Sequence, residues 1–184
     1  MKATGVVRRI DDLGRVVIPK EIRKTLRIKE GDPLEIFTDR EGQVILKKYS
    51  PIGELSEFAA GYAETLSKTT GHIACITDKD TIIAVSGGSK KEFLEQDISK
   101  ELEQLMEDKE VYTSKENSDK AMPITKNDNN ERKNNAQIVY PIISNGDTIG
   151  TVILMAKEEN KKMDEVEKKV AQSLSLIHIS EPTR

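Results

Sequence analysis

Cysteine and histidine are scarce in this chain of 184 residues, which holds one cysteine, Cys75, and two histidines. A single cysteine excludes an intramolecular disulfide framework. Cys75 lies in the apolar run Ile73-Ala74-Cys75-Ile76, so we predict a small core hydrophobe there, with a redox switch as the alternative. The sequence shows no Ser/His/Asp, Cys/His or paired-carboxylate constellation. We therefore expect no enzymatic activity, no metal site and no cofactor.

Long apolar runs are also missing. No run reaches about 18 apolar residues, the length that a membrane-spanning helix needs. The N-terminus lacks the apolar stretch of a secretory signal peptide. These two absences predict a cytoplasmic protein with no membrane partner.

Charge is distributed unevenly along the chain. Residues 1–50 contain twelve Lys or Arg and eight Asp or Glu, a net charge of +4. The whole chain carries -3, so the remainder carries -7. A basic N-terminal part followed by an acidic part is expected when one domain contacts nucleic acid and the other does not.

The N-terminal part reads as four short strands and one helix. Strands are predicted at about 4–10, 15–18, 34–39 and 43–48. Pro19 is predicted at the first position of the helix, where its missing N–H costs nothing. The helix should hold its basic residues on one face, opposite Ile22 and Leu26; these are Lys20, Arg23, Lys24 and Arg27. The strands carry apolar residues on both faces, so a segment this short needs a partner, and an identical chain is the simplest one.

Three features occur in order within residues 1–50: Gly14-Arg15-Val16-Val17-Ile18-Pro19, then the basic helix, then Gly31-Asp32-Pro33-Leu34-Glu35-Ile36. This order resembles the swapped-hairpin DNA-binding domain of the AbrB family, the transition-state regulators of Gram-positive spore formers. The resemblance implies a dimer of interleaved hairpins that presents basic side chains to DNA. By position these are Arg8, Arg9, Arg15, Arg23 and Lys24. The family often has arginine where this chain has Lys24, and a lysine favours a phosphate contact over a bidentate base contact.

Two acidic residues, Asp11 and Asp12, precede Gly14 in the first loop. Adjacent carboxylates are sometimes metal ligands, but no third ligand lies nearby. They are more often turn formers or partners of arginine. We interpret them as partners in an ion pair that orients one of the arginines Arg8, Arg9 or Arg15.

The acidic part predicts an α+β domain with an antiparallel sheet. Its order is helix, hairpin, helix, hairpin, helix, and the elements are predicted near 55–66, 72–78, 81–86, 90–108, 137–143, 148–156 and from Lys161 onward. Between the last hairpin strands, Asn145-Gly146-Asp147 is a strong turn signal. In order and length this part resembles a GAF domain, which members of the family join to the swapped-hairpin domain. A pocket for an unknown small-molecule effector is expected of such a domain.

We therefore predict an α+β chain with two domains and an atypical tail. Residues 1–50 form the swapped-hairpin domain, and residues 51–178 form the GAF-like sensor or oligomerisation domain, with a hinge at residues 50–53. Residues 126–135 read as a mobile polar loop. Residues 176–184 lack helical periodicity and depart from the family, which suggests foreign sequence that is poorly ordered.

The leading hypothesis is a transcription regulator of sporulation genes that contacts double-stranded DNA as a homodimer. Its acidic domain either senses a small molecule or pairs dimers into a tetramer. The alternative is an antitoxin-type swapped-hairpin module that binds a protein toxin. A long folded domain after residue 51 argues against it, because antitoxins usually end in a short disordered tail. An enzyme in the acidic domain is a third option, and the missing catalytic constellation argues against it.

Overall fold

The computed structural model describes residues 5–50, 52, 56–114, 121–128, 136–144, 146–157, 163 and 165–175. The chain divides into two compact units, Met1–Tyr49 and Ser50–Arg184, here called the N-terminal and C-terminal units. The predicted tail at 176–184, most of the polar loop at 126–135 and half of the hinge at 50–53 lie outside the described residues. In the part of the chain that is described, no helix is long and apolar enough to cross a membrane.

The N-terminal unit contains one helix and one hairpin. Helix α1 spans Lys20–Thr25, and strands β1, Leu34–Thr38, and β2, Val44–Lys48, pair antiparallel with Ile36 opposite Leu46. The hairpin forms where the sequence predicts it, because β-branched residues flank a turn in which Gly42 takes φ 81°. Pro19 is the residue that caps α1 rather than its first helical residue.

The predicted strands at 4–10 and 15–18 do not form in the single chain. Residues 5–19 have no strand in the structure, and the two arms are joined by a turn at 12–14. A strand requires a hydrogen-bonded neighbour along its length. Among the described residues, the only backbone-to-backbone hydrogen bond that links the two sides runs from the Asp11 N–H to the Arg15 carbonyl, at the base of the turn.

The C-terminal unit is built on a five-stranded antiparallel sheet in the order β4-β3-β7-β6-β5. The strands are β3, Ile73–Thr77; β4, Ile82–Ser86; β5, Tyr112–Ser114; β6, Gln137–Ser144; and β7, Asp147–Met155. Strand β5 has three residues and was not predicted, because so short a run has no measurable alternation. Strands β3, β4, β6 and β7 confirm the predicted hairpins.

Both faces of this sheet are buried. Helix α2, Ser56–Thr70, and helix α5, Glu165–Ser175, cover one face, where Ala63, Leu66 and Ala171 pack against the sheet. Helix α3, Lys90–Phe93, and helix α4, Lys100–Asp108, cover the other. From Val152 to Met155, successive residues of β7 alternate between the two cores, as in a regular pleated strand. Cys75 is fully buried on the α4 side, as predicted for a core residue.

The helix predicted at 90–108 is two helices. Helix α3 ends at its C-cap Leu94, which is extended with ψ 134°. Glu95 follows with φ 61°, and its N–H donates to the Ile82 carbonyl at 2.9 Å. Residues 95–97 thereby pair with the outer edge of β4, which an uninterrupted helix would leave open. Ser99 then begins α4 by accepting a hydrogen bond from the Leu102 N–H at 3.0 Å. The apolar periodicity is the same with or without this break, so the sequence pattern did not show it.

The amphipathic faces of the first and last helices are narrower than predicted. Phe58 in α2 is 53% exposed and packs edge-on against Tyr62, with ring centroids 4.4 Å apart. In α5, Val170 packs against the core as predicted, but Val166 is 62% exposed. Both apolar side chains lie on the solvent side of their helices in the single chain.

Gly150 of β7 lies where the sheet has no space for a side chain. A Cβ added there would collide with the carbonyl oxygen of Thr77 in β3. We expect Gly150→Ala to lower the free energy of unfolding by about 1–3 kcal/mol or more, the cost of overpacking. Denaturant unfolding of the full chain, followed through the sheet signal, measures this loss.

Gly61 of α2 provides the matched control. A Cβ at Gly61 meets nothing within 4 Å among the described residues. Because alanine favours the helix, Gly61→Ala should raise the free energy of unfolding by about 0.5–1 kcal/mol. Two variants of equal stability would show that β3 and β7 are not packed as described.

Candidate nucleic-acid interface

Three of the predicted arginines flank one turn. Arg8 and Arg9 precede it, Arg15 ends it, and all three are exposed. The turn itself is formed by Asp11, whose Oδ1 accepts from the backbone N–H of Leu13 at 3.0 Å and of Arg15 at 2.8 Å. A β-branched-rich arm enters and leaves the turn on either side. The local geometry therefore places arginine at both ends of a tight, hydrogen-bonded loop.

Asp11 and Arg15 also form an ion pair. The Nε of Arg15 donates to Oδ2 of Asp11 at 2.8 Å. The predicted ion pair between an acidic loop residue and one of three arginines is thereby confirmed, and the arginine is Arg15. Among the described residues, no group of three or more His, Cys, Asp or Glu could hold a metal ion.

The backbone N–H of Arg15, and then its guanidinium, hold the pKa of Asp11 below its ordinary value of 3.8. Hydrogen bonds to an ionised carboxylate favour the ionised form. The stability that ionised Asp11 gives to the turn is therefore fully present above the ordinary pKa. It is lost as the pH falls through the lower, folded-state pKa. At the neutral pH of a DNA-binding assay, Asp11 is a carboxylate.

The other two predicted residues, Arg23 and Lys24, lie in the last turn of α1. Cations are favoured there because the helix C-terminus carries partial negative charge. Lys24 is exposed, but Arg23 is half-buried, and its Nε is buried with no hydrogen-bond partner among the described residues. The two neighbouring residues therefore differ: the Lys24 side chain lies in solvent, whereas part of the Arg23 side chain packs against the N-terminal unit.

The predicted basic face of this helix is shorter than four residues. Helix α1 ends at Thr25, and Arg27 takes φ 53° beyond it, so Arg27 does not continue the face. Leu26, predicted to point inward, is 56% exposed. Both differences follow from the early end of the helix, which periodicity alone did not predict.

Lys48 is a basic residue whose role sequence reasoning missed. Its ammonium donates to the Arg27 carbonyl at 3.0 Å and lies 3.4 Å from the Asp32 carboxylate. Asp32 also accepts from the Lys29 N–H at 2.8 Å. These bonds hold the segment between α1 and β1 against the end of β2, so Lys48 is structural here. Its partners lie 16 and 21 positions away in the sequence, beyond the reach of a local pattern.

The N-terminal unit buries no side chain by itself. None of residues 5–49 is buried in the single chain. Its exposed apolar side chains lie on both arms of the first turn, in that turn, directly after α1 and on both strands of the hairpin; they are Val6, Val7, Ile10, Leu13, Val16, Val17, Leu26, Ile36, Phe37, Val44, Ile45 and Leu46. Exposed apolar surface of this extent is typical of a protein–protein contact site.

Comparison with known proteins assigns both units. The family model "Stage V sporulation protein T C-terminal, transcription factor" matches residues 54–177. The model "Antidote-toxin recognition MazE, bacterial antitoxin" matches residues 7–54. Transition state regulatory protein AbrB of Bacillus subtilis is 63% identical over 51 residues, which cover 28% of this chain and 52% of AbrB. The N-terminal resemblance to AbrB is thereby confirmed.

The C-terminal unit has the GAF fold. The crystal structure of a GAF domain/HD domain protein from Geobacter sulfurreducens matches with a TM-score of 0.53 at 13% identity, covering 70% of this chain and 92% of that chain. Over the full length, stage V sporulation protein T of Bacillus subtilis is 52% identical across 173 residues, 94% of each chain. The chain therefore belongs to the stage V sporulation protein T family of sporulation transcription factors.

Proposed function

We propose that this sporulation transcription regulator binds double-stranded DNA as a homodimer through Arg8, Arg9, Arg15, Arg23 and Lys24. The observation that carries the proposal is the placement of three exposed arginines around one hydrogen-bonded turn, in a unit whose net charge is +4. Basic side chains on a short protruding turn reach phosphates and groove edges without a large flat surface. Regulation of chromosomal genes also places the protein in the cytoplasm.

The homodimer is supported by the missing core of the N-terminal unit. Because none of residues 5–49 is buried in one chain, the apolar arms need a second set of strands to cover them. An identical chain supplies the same strands with the same exposed face, and a two-fold contact closes both interfaces at once. The arms at 5–10 and 15–19 would then gain the hydrogen-bonded neighbours that they lack alone.

The C-terminal unit is proposed to regulate binding rather than to contact DNA. Residues 51–184 carry a net charge of -7, which repels a duplex. A GAF fold suits a small-molecule effector, and joining two dimers into a tetramer through this unit would raise DNA affinity by avidity. In both cases the unit acts through the N-terminal unit to which it is joined.

The second candidate is binding of a protein toxin, which the match of residues 7–54 to an antitoxin model favours. The same exposed apolar and basic groups would then meet a protein surface. Against this stands the match of residues 54–177 to a transcription-factor domain. Co-purification of a small toxic protein with the full chain would favour the toxin over DNA.

A mobility-shift assay with residues 1–52 and with the full chain tests the proposal. Residues 1–52 should shift promoter DNA. If the C-terminal unit joins two dimers, its removal should weaken binding by about 100-fold or more, because avidity is lost. Circular dichroism of the fragment at the assay concentration is the control for folding. A folded fragment that leaves the DNA unshifted, beside a full chain that shifts it, would place the contact outside the N-terminal unit.

A further inference from the structure

Asp11 builds its turn with four hydrogen bonds that involve the backbone. Its N–H donates to the Arg15 carbonyl at 3.1 Å, and its carbonyl accepts from the Gly14 N–H at 3.0 Å. Its Oδ1 accepts from the N–H groups of Leu13 and Arg15 at 3.0 and 2.8 Å. Gly14 takes φ 76°, a conformation that glycine adopts without strain.

The turn between β1 and β2 is a second copy of this arrangement, 28 residues along the chain. The Asp39 N–H donates to the Gln43 carbonyl at 3.2 Å, and its carbonyl accepts from the Gly42 N–H at 3.4 Å. Its Oδ1 accepts from the N–H groups of Glu41 and Gln43 at 3.0 and 2.8 Å. Both turns thus use one carboxylate oxygen for the backbone.

The two turns differ at the residue after the glycine. In the first, the Arg15 Nε donates to the remaining oxygen of Asp11, Oδ2, at 2.8 Å. In the second, the Gln43 side chain donates to Glu41 at 3.1 Å instead. The second turn keeps its backbone geometry without an arginine, so the Oδ2 bond of the first turn is not required to form the turn. It acts on the Arg15 side chain.

The bond fixes an arginine that is otherwise free to move. The Arg15 side chain is 69% exposed, and an exposed arginine samples many rotamers. The bond to Oδ2 uses Nε, whereas the guanidinium carries four further N–H donors on its terminal nitrogens. A guanidinium held by one edge therefore presents its other donors in a fixed orientation, which bidentate reading of a guanine edge requires.

We propose that Asp11 is a positioning residue that gives Arg15 its sequence specificity on DNA. The inference rests on the proposed function and adds a division of labour between the two oxygens, with Oδ1 holding the turn and Oδ2 holding the guanidinium. The Asp11 carboxylate is also a negative charge beside a polyanion, so it should have opposite effects on general and on sequence-specific binding. Asp11 lowers affinity for any duplex through repulsion but raises affinity for the correct sequence through Arg15.

The test uses the full chain with Asp11→Asn and, as the matched control, Asp39→Asn. Asparagine keeps an acceptor for the backbone N–H groups but replaces the second oxygen with an NH₂ group that cannot accept from a guanidinium. The probes are the duplex that the unmodified chain enriches most from a random-sequence pool and a scrambled duplex of the same length and composition. The measured quantity is the ratio of the two dissociation constants.

Asp11→Asn should reduce this ratio by about tenfold or more, the discrimination of one bidentate base contact. Affinity for the scrambled duplex should stay the same or rise, because one negative charge per chain is removed. Asp39→Asn should leave the ratio within about twofold, since independent sites do not couple. An unchanged ratio in Asp11→Asn, with affinity for both duplexes lowered together, would overturn the proposal and indicate a turn-forming role only.

A double-mutant cycle keeps the test decisive if Asp11→Asn also disturbs the fold. Arg15→Gln gives the first turn a glutamine after its glycine, as Gln43 follows Gly42 in the second turn. In that background Asp11→Asn should leave the ratio within about twofold, because the guanidinium it positions is absent. A further loss of the ratio there would contradict the proposal. If the unmodified chain binds neither duplex, the proposed function itself fails; if it binds both equally, DNA binding stands and the specificity inference fails.

Discussion

Ile36→Asp is expected to unfold the N-terminal unit, although Ile36 is 66% exposed in the single chain. The side chain lies in β1, directly opposite Leu46 of β2, in the apolar surface that a second copy is proposed to cover. Losing its burial removes about 2–3 kcal/mol per chain. Burying an unpaired carboxylate in its place costs more. A unit of this size has little more stability than that to lose.

Thermal unfolding of residues 1–52 measures the effect, with Thr38→Asp as the control. Thr38 is an exposed polar residue at the turn end of the same strand, so this variant adds the same charge without removing an apolar side chain and should unfold close to the unmodified midpoint. The unmodified fragment should also unfold at a temperature that rises by roughly 5–10 °C per tenfold increase in concentration, because dimerisation is coupled to folding. A concentration-independent midpoint, unaffected by Ile36→Asp, would show that the unit folds as a monomer.

Arg9→Ala should weaken binding to every DNA sequence by a similar factor. Arg9 is exposed beside the first turn, and a homodimer presents it twice. Loss of two phosphate contacts reduces the slope of log K against log salt by about 2. If the variant and the unmodified chain bind equally at about 1 M salt, this difference in slope gives an affinity loss of about 30-fold at about 0.15 M salt. Titration of the full chain against a labelled duplex at several salt concentrations gives both quantities.

Arg40→Ala is the matched control for Arg9→Ala. Arg40 is also exposed in the N-terminal unit, but it lies in the second turn and is outside the proposed contact set. Its removal takes away the same charge from the same unit and should leave the slope within about 0.5 of the unmodified value. Equal changes in the two variants would mean that overall charge, rather than the first turn, determines binding.

The sequence predicted the local chemistry of the N-terminal unit better than its secondary structure. The Asp11 to Arg15 turn could be predicted because its glycine and its acidic residue have strong conformational preferences. The predicted strands on either side do not form in the single chain, where the described residues give them no hydrogen-bonded neighbour along their length. The contact between Lys48 and Asp32 joins residues that lie 16 positions apart in the sequence, and no local pattern indicates such a contact.

In the C-terminal unit, helix α2 was predicted because its apolar residues recur at helical spacing, and the two hairpins were predicted because short apolar runs flank turn residues. The break at Glu95 was not, because it depends on the open edge of β4, a feature of the assembled sheet. Exposure of Phe58 and Val166 was missed for a related reason. Helical spacing identifies an apolar stripe, but it does not show how much of the stripe the sheet covers.

The salt dependence of DNA binding by the full chain tests the central claim most directly. Five basic residues per chain give ten in a homodimer, and with six to eight of them on phosphates the slope of log K against log salt should be roughly -5 to -7. Such a slope would show that the N-terminal basic groups of two chains meet the duplex together. A slope shallower than about -2 would contradict the account, because it leaves too few phosphate contacts for a dimer.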